Sequence, residues 1–252
     1  MTEICGNSVD HLNFFIDKLQ NSKSFALIRP GDGEYFILIG KKFNTQDNWR
    51  FNGGSLTNDL HHSLKTALHI DNLYIGISCP QCPGDSINKW FNENFDLPKT
   101  RLTYANIVCN HNWKLFMKYL IDSKKSFYYI GPGQVETTDL NIISRYFVDE
   151  YLVEKWDSEK EIFINNITNW ITEIISNNNN NSSSLLFIFS AGPISKILVV
   201  KLFQMYPEHT FMDCGSALDY YVKGHSNRLY IKDSDIYSHL ICDFKTGHSF
   251  AQ

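Results

Sequence analysis

Two carboxylates separated by a single glycine follow the first strongly apolar segment of the chain. Residues 29–35 read Arg-Pro-Gly-Asp-Gly-Glu-Tyr, directly after an apolar run that begins at Phe25. Hard divalent cations such as Mg²⁺ and Mn²⁺ take oxygen ligands, usually one or two carboxylates together with phosphate oxygens and water. We therefore predict that Asp32 and Glu34 bind a metal ion. An acidic surface turn is the alternative interpretation of this segment.

The residues around these carboxylates suit a phosphate group. Arg29 carries a planar fork of N–H donors that matches phosphate oxygens. Gly31 and Gly33 can adopt unusual backbone angles and leave room for a bulky ligand. A later loop, 190–193, places Gly192 just before a predicted helix, whose N-terminus would favour an anion. An ordinary strand-to-helix turn is the alternative for Gly192.

These loops follow a regular pattern of predicted strands and helices. Short apolar runs that end in glycine, proline or polar turns predict strands, and apolar residues at helical spacing predict helices. The predicted strands are 25–29, 73–77, 101–108, 126–130, 185–189 and 210–213, and the predicted helices are 9–20, 56–68, 113–121, 162–175 and 194–205. We expect residues 31–34 to form a loop and the apolar pattern to continue over 35–39.

The alternation of strands and helices predicts the fold class. It indicates a single α/β domain over 1–252, with a Rossmann-like, mostly parallel sheet covered by helices on both faces. The asparagine- and serine-rich stretch 177–184 has nothing to bury and is predicted to be a surface loop. Ligands of such sheets bind outside the carboxyl ends of the strands. We therefore expect one cleft formed by the loops 29–35, 109–112, 190–193 and 213–219.

Composition excludes several other classes of protein. The chain has 252 residues, 43% of them hydrophobic, and a net charge of −4, which indicates a full core and gives no reason to expect nucleic acid binding. No apolar run approaches the roughly 18–20 residues of a membrane span, and no signal peptide is recognisable. Six cysteines in a chain this long are not a disulfide framework, so we expect a reducing, cytoplasmic compartment. The richness in Asn, Ile and Lys is typical of an A/T-biased genome, such as that of a protist or a large virus of protists.

Three segments together resemble a known family. The run 25–34 resembles the Arg-x-Gly-Asp-Gly-Glu signature of GT-D fold glycosyltransferases. The segment 186–197, which contains Lys196, is similar to their strand, glycine turn and helix. The segment 211–219 is similar to their Asp-x-Gly-Ser/His-x-x-Asp element. The middle of the chain, roughly 40–180, matches only in the rhythm of its elements.

The resemblance implies an enzyme that transfers a hexose from a nucleotide sugar, typically a UDP-sugar, to a glycan or glycoprotein hydroxyl. It implies Mn²⁺ or Mg²⁺ as cofactor, with Asp32 and Glu34 as the metal and diphosphate residues. We predict Asp32, Glu34 and Asp219 as catalytic. The candidates for orienting or deprotonating the acceptor hydroxyl are Asp213, Asp219, His111 and Glu136. The residues predicted to bind the nucleotide sugar are Arg29, Gly31, Gly33, Asn110, Gly192, Asp213 and Ser216. Capping and loop roles are the alternatives for Asn110, Asp213 and Asp219.

Other functions stay open on the sequence alone. Cys79 and Cys82 have the spacing of half a zinc site, which Cys109 and His111 could complete. The same Cys-x-x-Cys pair could be redox-active. A nucleotide-sugar-binding protein without activity, or another enzyme that acts on phosphates, would also use the acidic segment. The sequence contains no Gly-rich Lys-Ser/Thr phosphate loop, which argues against the last of these.

Overall fold

The computed structural model describes residues 6–44, 49–82, 85–178 and 183–251. The helices are α1 (Ser8–Gln20), α2 (Asp32–Leu38), α3 (Leu56–Ala67), α4 (Asp85–Asn94), α5 (His111–Asp122), α6 (Trp156–Asn177), α7 (Ile194–Met205) and α8 (Asp219–Lys223). The strands are β1 (Ala26–Ile28), β2 (Phe43–Asn44), β3 (Arg50–Phe51), β4 (Leu73–Ile77), β5 (Leu102–Tyr104), β6 (Phe127–Gly131), β7 (Ile142–Phe147), β8 (Leu186–Phe189), β9 (Thr210–Asp213), β10 (Leu240–Asp243) and β11 (Gly247–Phe250).

Seven strands form one sheet in the order β5-β4-β1-β9-β8-β6-β7, and every neighbouring pair is parallel. Strand β1 lies between β4 and β9, so that Leu27 is opposite Tyr74 on one side and Met212 on the other. All residues of β1, β4, β6, β8 and β9 are buried. Strands covered on both faces read as nearly continuous apolar runs, which is why the sequence identified them.

Helices cover both faces of the sheet. Side chains alternate along a strand, so Ile28 packs in the core on one face and Leu27 in the core on the other. The first core also contains apolar residues of α2, α3, α4, α6 and α7, and the second those of α1, α5 and α8. The predicted fold class is therefore confirmed, with a fully parallel main sheet.

Several elements differ from the sequence-based prediction. The third predicted strand, 101–108, is shortened to Leu102–Tyr104 because the chain turns after it, with Ile107 N–H donating to Tyr104 O at 3.1 Å. Helix α2 replaces most of the predicted loop 31–34. Helix α4, strand β7 and the β10–β11 hairpin were not predicted. Of the predicted surface loop 177–184, residues 179–182 lie outside the described residues.

None of the helices in the described ranges is both long and apolar enough to cross a lipid bilayer.

Candidate functional site

A cavity of about 940 Å³ lies outside the carboxyl ends of β1, β4, β5, β8 and β9. Each of these strands contributes a lining residue from the loop that follows it, namely Gly31, Ser78, Asn106, Ser190 and Gly215 in that order. This is where open parallel sheets bind their ligands, and the volume suits a small organic molecule. The four loops that the sequence analysis expected to meet all reach this cavity.

Almost all residues predicted for the site line this cavity. They are Arg29, Gly31, Asp32, Gly33, Glu34, Asn110, Gly192, Ser216 and Asp219. Asp213 differs, because its side chain is fully buried and is not part of the cavity wall. Asp213 contacts Lys196 and Arg29, which both line the cavity.

Lys196 is the centre of a buried ionic network in the cavity floor. Its Nζ atom lies 2.9 Å from Glu34 Oε1, 2.9 Å from Asp213 Oδ2 and 3.2 Å from the Gly192 carbonyl oxygen. These three acceptors use all three N–H donors of the ammonium group. Burial alone lowers the pKa of Lys196, but the Asp213 and Glu34 carboxylates outweigh it and the pKa is raised. Lys196 is therefore positively charged.

Arg29 joins the ends of three strands. Its backbone N–H donates to Asp213 Oδ2 at 3.1 Å and its Nε donates to Asp213 O at 2.7 Å. Its Nη1 donates to the carbonyl oxygen of Ala105, just after β5, at 2.7 Å. A side chain at Gly215 would place a Cβ 2.6 Å from Nη2, so Gly215 leaves the space that the guanidinium occupies. Arg29 thus contributes charge to the cavity wall, while its backbone N–H, Nε and Nη1 hold the strand ends together.

Asp32 and Glu34 have different environments, although only one residue separates them. Both belong to the first turn of α2, where residues two apart do not face each other. Glu34 is buried, and its Oε2 accepts a hydrogen bond of 2.7 Å from Gly31 N–H, so that it caps its own helix. Asp32 is exposed, and its Oδ1 accepts a hydrogen bond of 2.9 Å from Gly33 N–H.

This donor set fits a hard divalent cation with Asp32 as the directly available carboxylate. Mg²⁺ and Mn²⁺ commonly bind proteins through one or two carboxylates and complete their coordination with phosphate oxygens and water. Each Glu34 oxygen already accepts a hydrogen bond, from Gly31 or Lys196, and keeps only its remaining lone pair. From the sequence we predicted the same metal-binding role for both carboxylates. In the structure, Glu34 is buried and bound to Gly31 and Lys196, whereas Asp32 is exposed.

The turn before α7 brings backbone close to an aromatic ring. Gly192 has a φ of +54°, and a Cβ there would lie 2.8 Å from Trp49 Cδ2. Both the backbone angle and the contact with the indole therefore require glycine. Trp49, Gly192 and Pro193 all line the cavity, beside the first residues of the 12-residue helix α7. Backbone at a helix N-terminus is favourable for a phosphate group.

Asn110 and Asp219 lie at the starts of two further helices. Asn110 precedes α5 with a φ of 55°, which is uncommon for a residue other than glycine, and its side chain makes no capping hydrogen bond. It is buried at the cavity wall. Asp219 begins α8, and its Oδ2 lies 3.3 Å from Lys223 Nζ. Lys223 Nζ also lies 2.7 Å from Glu150 Oε1.

The cysteine residues are arranged differently from the zinc site considered from the sequence. Cys79 and Cys82 converge with Cys242 and His248, and their ligand atoms all lie within 4.8 Å of one another. Cys109 lies elsewhere, with its Sγ 3.5 Å from Arg29 Nη1. His111, the first residue of α5, is not part of the group either. Cys109 and His111, which the sequence left open as further ligands, therefore do not complete the Cys-x-x-Cys pair.

Sequence reasoning assigned no role to several cavity residues. Lys196 was noted only as part of a resembling segment, although a lysine among the apolar residues that follow Ile194 is a signal of a buried ion pair. Lys223, Arg228 and Tyr230 also line the cavity. No signal in the sequence indicates that their loop folds back over the strand ends.

Fold and site together define an α/β domain whose ligand crevice is built from the ends of parallel strands and is floored by buried charges. Solved structures with this fold include "A New Glycosyltransferase (DUF1792) from Streptococcus sanguinis", with a TM-score of 0.54, 14% identity, and 100% of this chain and 95% of that chain covered. Another, described as "The highly conserved domain of unknown function 1792 has a distinct glycosyltransferase fold", has a TM-score of 0.50 and 13% identity, and covers 96% of this chain and 90% of that chain. A selenomethionine-substituted structure of the same domain has a TM-score of 0.51 and 14% identity at the same coverage. The sequence matches no protein-family model and no curated protein.

Proposed function

We propose that this chain is a metal-dependent glycosyltransferase of the GT-D type. The reaction moves a hexosyl group from a nucleotide sugar, specifically a UDP-sugar, to a hydroxyl group of a glycan or glycoprotein. The observation that carries the proposal is the cavity at the strand ends, where the buried network of Arg29, Asp213, Lys196 and Glu34 lies beside the exposed Asp32. The shared fold of structures described as glycosyltransferases supports it.

The charges around the cavity suit the leaving group of this reaction. When the bond from the anomeric carbon to the diphosphate breaks, negative charge builds on the diphosphate oxygens. Positive charge and backbone N–H groups that are already in place stabilise this charge without reorganising. Arg29, Lys196 and the start of α7 supply them here. A divalent cation held by Asp32 would add a Lewis acid at the same oxygens.

Asp219 is the carboxylate we propose for the acceptor side. The acceptor oxygen forms the new bond to the anomeric carbon, the electron pair of the broken bond leaves with the diphosphate, and the hydroxyl proton passes to a base. Asp219 lines the cavity, and its pairing with Lys223 at 3.3 Å fixes its orientation.

A panel of nucleotide sugars tests this proposal. Thermal shift with each donor, with and without Mn²⁺, should give a larger stabilisation by one UDP-sugar when the metal is present. Release of UDP from that donor, measured with and without saccharide acceptors, then reports turnover. Asp32→Asn should lose turnover, whereas Asp122→Asn, an exposed carboxylate at the end of α5, should keep it.

The outcomes separate the alternatives. Binding of a nucleotide sugar without turnover under any condition would identify a non-catalytic binding protein and overturn the proposed reaction. Turnover that is equal with Mn²⁺ and with a chelator would overturn the metal requirement. No binding of any nucleotide sugar would overturn the proposed substrate class.

A further inference from the structure

A second cluster of reactive side chains lies at the rim of the cavity. Cys79 and Cys82 come from the loop after β4, Cys242 from β10 and His248 from β11. Cys79 and Cys242 are almost completely buried, while Cys82 and His248 are half-buried. Their four ligand atoms lie within 4.8 Å of one another. None of the steps proposed for glycosyl transfer uses these residues.

Three sulfur atoms and one imidazole are a typical donor set of structural zinc sites. With Zn–S bonds of about 2.3 Å, two sulfur ligands of a tetrahedron lie about 3.8 Å apart. The Sγ atoms of Cys82 and Cys242 are 3.9 Å apart, in agreement with that geometry. His248 Nε2 lies 2.7 Å from Cys82 Sγ. An ion would place this pair about 3.6 Å apart, so binding needs only a small outward movement of the imidazole ring.

The backbone presents these ligands without help from a large core. Cys82 N–H donates to Cys79 O at 3.0 Å, which closes the Cys-x-x-Cys turn and directs both thiols to one side. Cys242 and His248 are opposite each other in the hairpin register. A Cβ at Gly247 would lie 2.3 Å from the Gln81 side chain, so the hairpin packs directly against the Cys-x-x-Cys loop.

The apolar group around the cluster is small, so a bound metal ion would add stability to this part of the fold. Among the residues that the structure describes, the buried apolar group at this place consists of Cys79, Tyr104 and Cys242, separate from the two main cores. Phe244 stacks on Tyr104 with a centroid distance of 4.1 Å and supplies the main aromatic contact. A metal ion bound by both segments would join parts of the chain that the small core holds only weakly.

We infer that Cys79, Cys82, Cys242 and His248 bind one Zn²⁺ ion, which fixes the β10–β11 hairpin to the loop after β4. Four protein ligands leave no coordination position for a substrate, so this is a structural site. Its neighbours support the cysteine ligands, since Asn106 Nδ2 lies 3.8 Å from Cys242 Sγ and Cys242 N–H donates to Ser8 Oγ at 3.1 Å. A disulfide between Cys82 and Cys242 would leave the third thiol and the imidazole of this group unexplained.

The site forms part of the cavity wall as well. Gln81, Cys82, Leu240 and His248 line the cavity. Zinc would therefore hold the wall of the cleft that is built from the β4 loop and the hairpin. The inference depends on the cysteine and histidine geometry alone, so it stands or falls independently of the proposed transferase reaction.

Metal analysis of the full chain tests the inference. The protein is purified with a reductant, incubated with Zn²⁺, dialysed and measured for zinc by mass spectrometry. We expect one equivalent in the unmodified chain and in the control Cys109→Ser, and a loss of at least tenfold in zinc occupancy in Cys242→Ser and in His248→Ala. Replacing zinc by Co²⁺ should give the absorption bands of a tetrahedral thiolate site, which adventitious surface binding does not produce.

Several results would overturn the inference. These are no zinc in the reduced, zinc-treated chain, full zinc in both ligand variants, or a Cys82–Cys242 disulfide that persists under reductant and excludes the metal. Circular dichroism of each variant shows whether the main sheet remains folded. If Cys242→Ser does not fold, the Co²⁺ spectrum of the unmodified chain still decides, because an octahedral or absent spectrum contradicts the site.

Discussion

Glu34 Oε1 and Lys196 Nζ form an ion pair of 2.9 Å, and both side chains are more than nine-tenths removed from water. The pair connects α2 to α7, and Lys196 extends the connection to Asp213 at the end of β9. Since Asp213 in turn accepts a hydrogen bond from Arg29 N–H, the exits of β1 and β9 are fixed to one ammonium group. The cavity floor is thus a network of opposite charges in which each member stabilises the position of the next.

Replacing Lys196 by methionine should destabilise the protein strongly. The change leaves Glu34 and Asp213 buried without their counter-charge, and removing one partner of a buried pair costs about 3–5 kcal/mol. Urea unfolding measures the free energy directly. The control is Lys201→Met, which lies on the same helix but is exposed and should change it by no more than about 0.5 kcal/mol. Equal stability of the two variants would contradict the network.

Asp32→Asn and Glu34→Gln should differ in their effect on stability. Asp32 is exposed, so its variant should keep its unfolding free energy within about 0.5 kcal/mol and lose activity by about 100-fold or more. Glu34→Gln removes a charge from Lys196 and should also lose about 1–3 kcal/mol of stability. The measurements are urea unfolding and UDP release for both variants. The proposed division between the two carboxylates is wrong if Asp32→Asn is the less stable of the pair.

Gly192→Ala should be more damaging than Gly40→Ala. Both glycines have a positive φ, +54° and +70°, so both substitutions have the cost of a left-handed alanine, about 1–2 kcal/mol. At Gly192 the new methyl group meets Trp49, whereas at Gly40 no atom of the described residues lies within 4 Å of it. Thermal unfolding of both variants isolates the contact, and nucleotide-sugar binding should weaken only for Gly192→Ala. Equal losses would show that the indole moves away freely.

Asn110→Gly and Asn110→Ala separate backbone strain from ligand contact. Glycine accepts the φ of 55°, so Asn110→Gly should be as stable as the unmodified chain or gain up to about 1 kcal/mol, whereas Asn110→Ala should be less stable than Asn110→Gly. Both variants lack the amide and should bind the nucleotide sugar about tenfold more weakly, the equivalent of one hydrogen bond. Calorimetric titration provides the affinities. Unchanged affinity in the glycine variant would exclude a ligand contact for Asn110.

Stability should fall at alkaline pH, and Cys214 should account for part of the fall. Burial raises the pKa of the Cys214 thiol far above its ordinary value of 9.0, an effect that Arg29 only partly opposes. The unfolded chain therefore releases this proton first, so the stabilising contribution is complete below pH 9 and is lost as the pH rises above it. Between pH 8 and pH 10 the unmodified chain should lose about 1.4 kcal/mol more than Cys214→Ala. The prediction is wrong if the unfolding free energies of the two chains fall by the same amount between pH 8 and pH 10.

The sheet was predictable because its central strands are buried on both faces. Such strands, for example Leu73–Ile77 and Leu186–Phe189, carry short apolar runs bounded by turn residues. Strand β7 was missed because it lies at the edge of the sheet, where Ser144 and Arg145 interrupt the apolar pattern and most of its residues are only half-buried or exposed. The hairpin β10–β11 lies outside the main sheet and its two strands have four residues each, so its sequence contains no long apolar pattern.

The location of the site was predictable, but the roles of its residues were not. The carboxyl ends of parallel strands share one edge, so loops that follow strands had to meet. Whether a carboxylate faces solvent or a buried cation depends on which distant residue reaches it, and nothing near Glu34 in the sequence indicates Lys196. The partners of Cys79 and Cys82 could not be predicted for the same reason. Cys242 and His248 come together through the register of the hairpin, which the sequence does not show.

Strand β9 lies in the centre of the sheet, between β1 and β8, yet it is the last of the seven sheet strands in chain order. A ribosome therefore delivers the six other strands before the one that joins the two halves of the sheet. Without Thr210–Asp213, β1 and β8 would each have an unpaired edge, because β9 is the strand that pairs with both of them. Strand β9 closes both edges and also places Asp213 beside Lys196, so the continuity of the sheet and the charge network of the cavity floor depend on the same four residues.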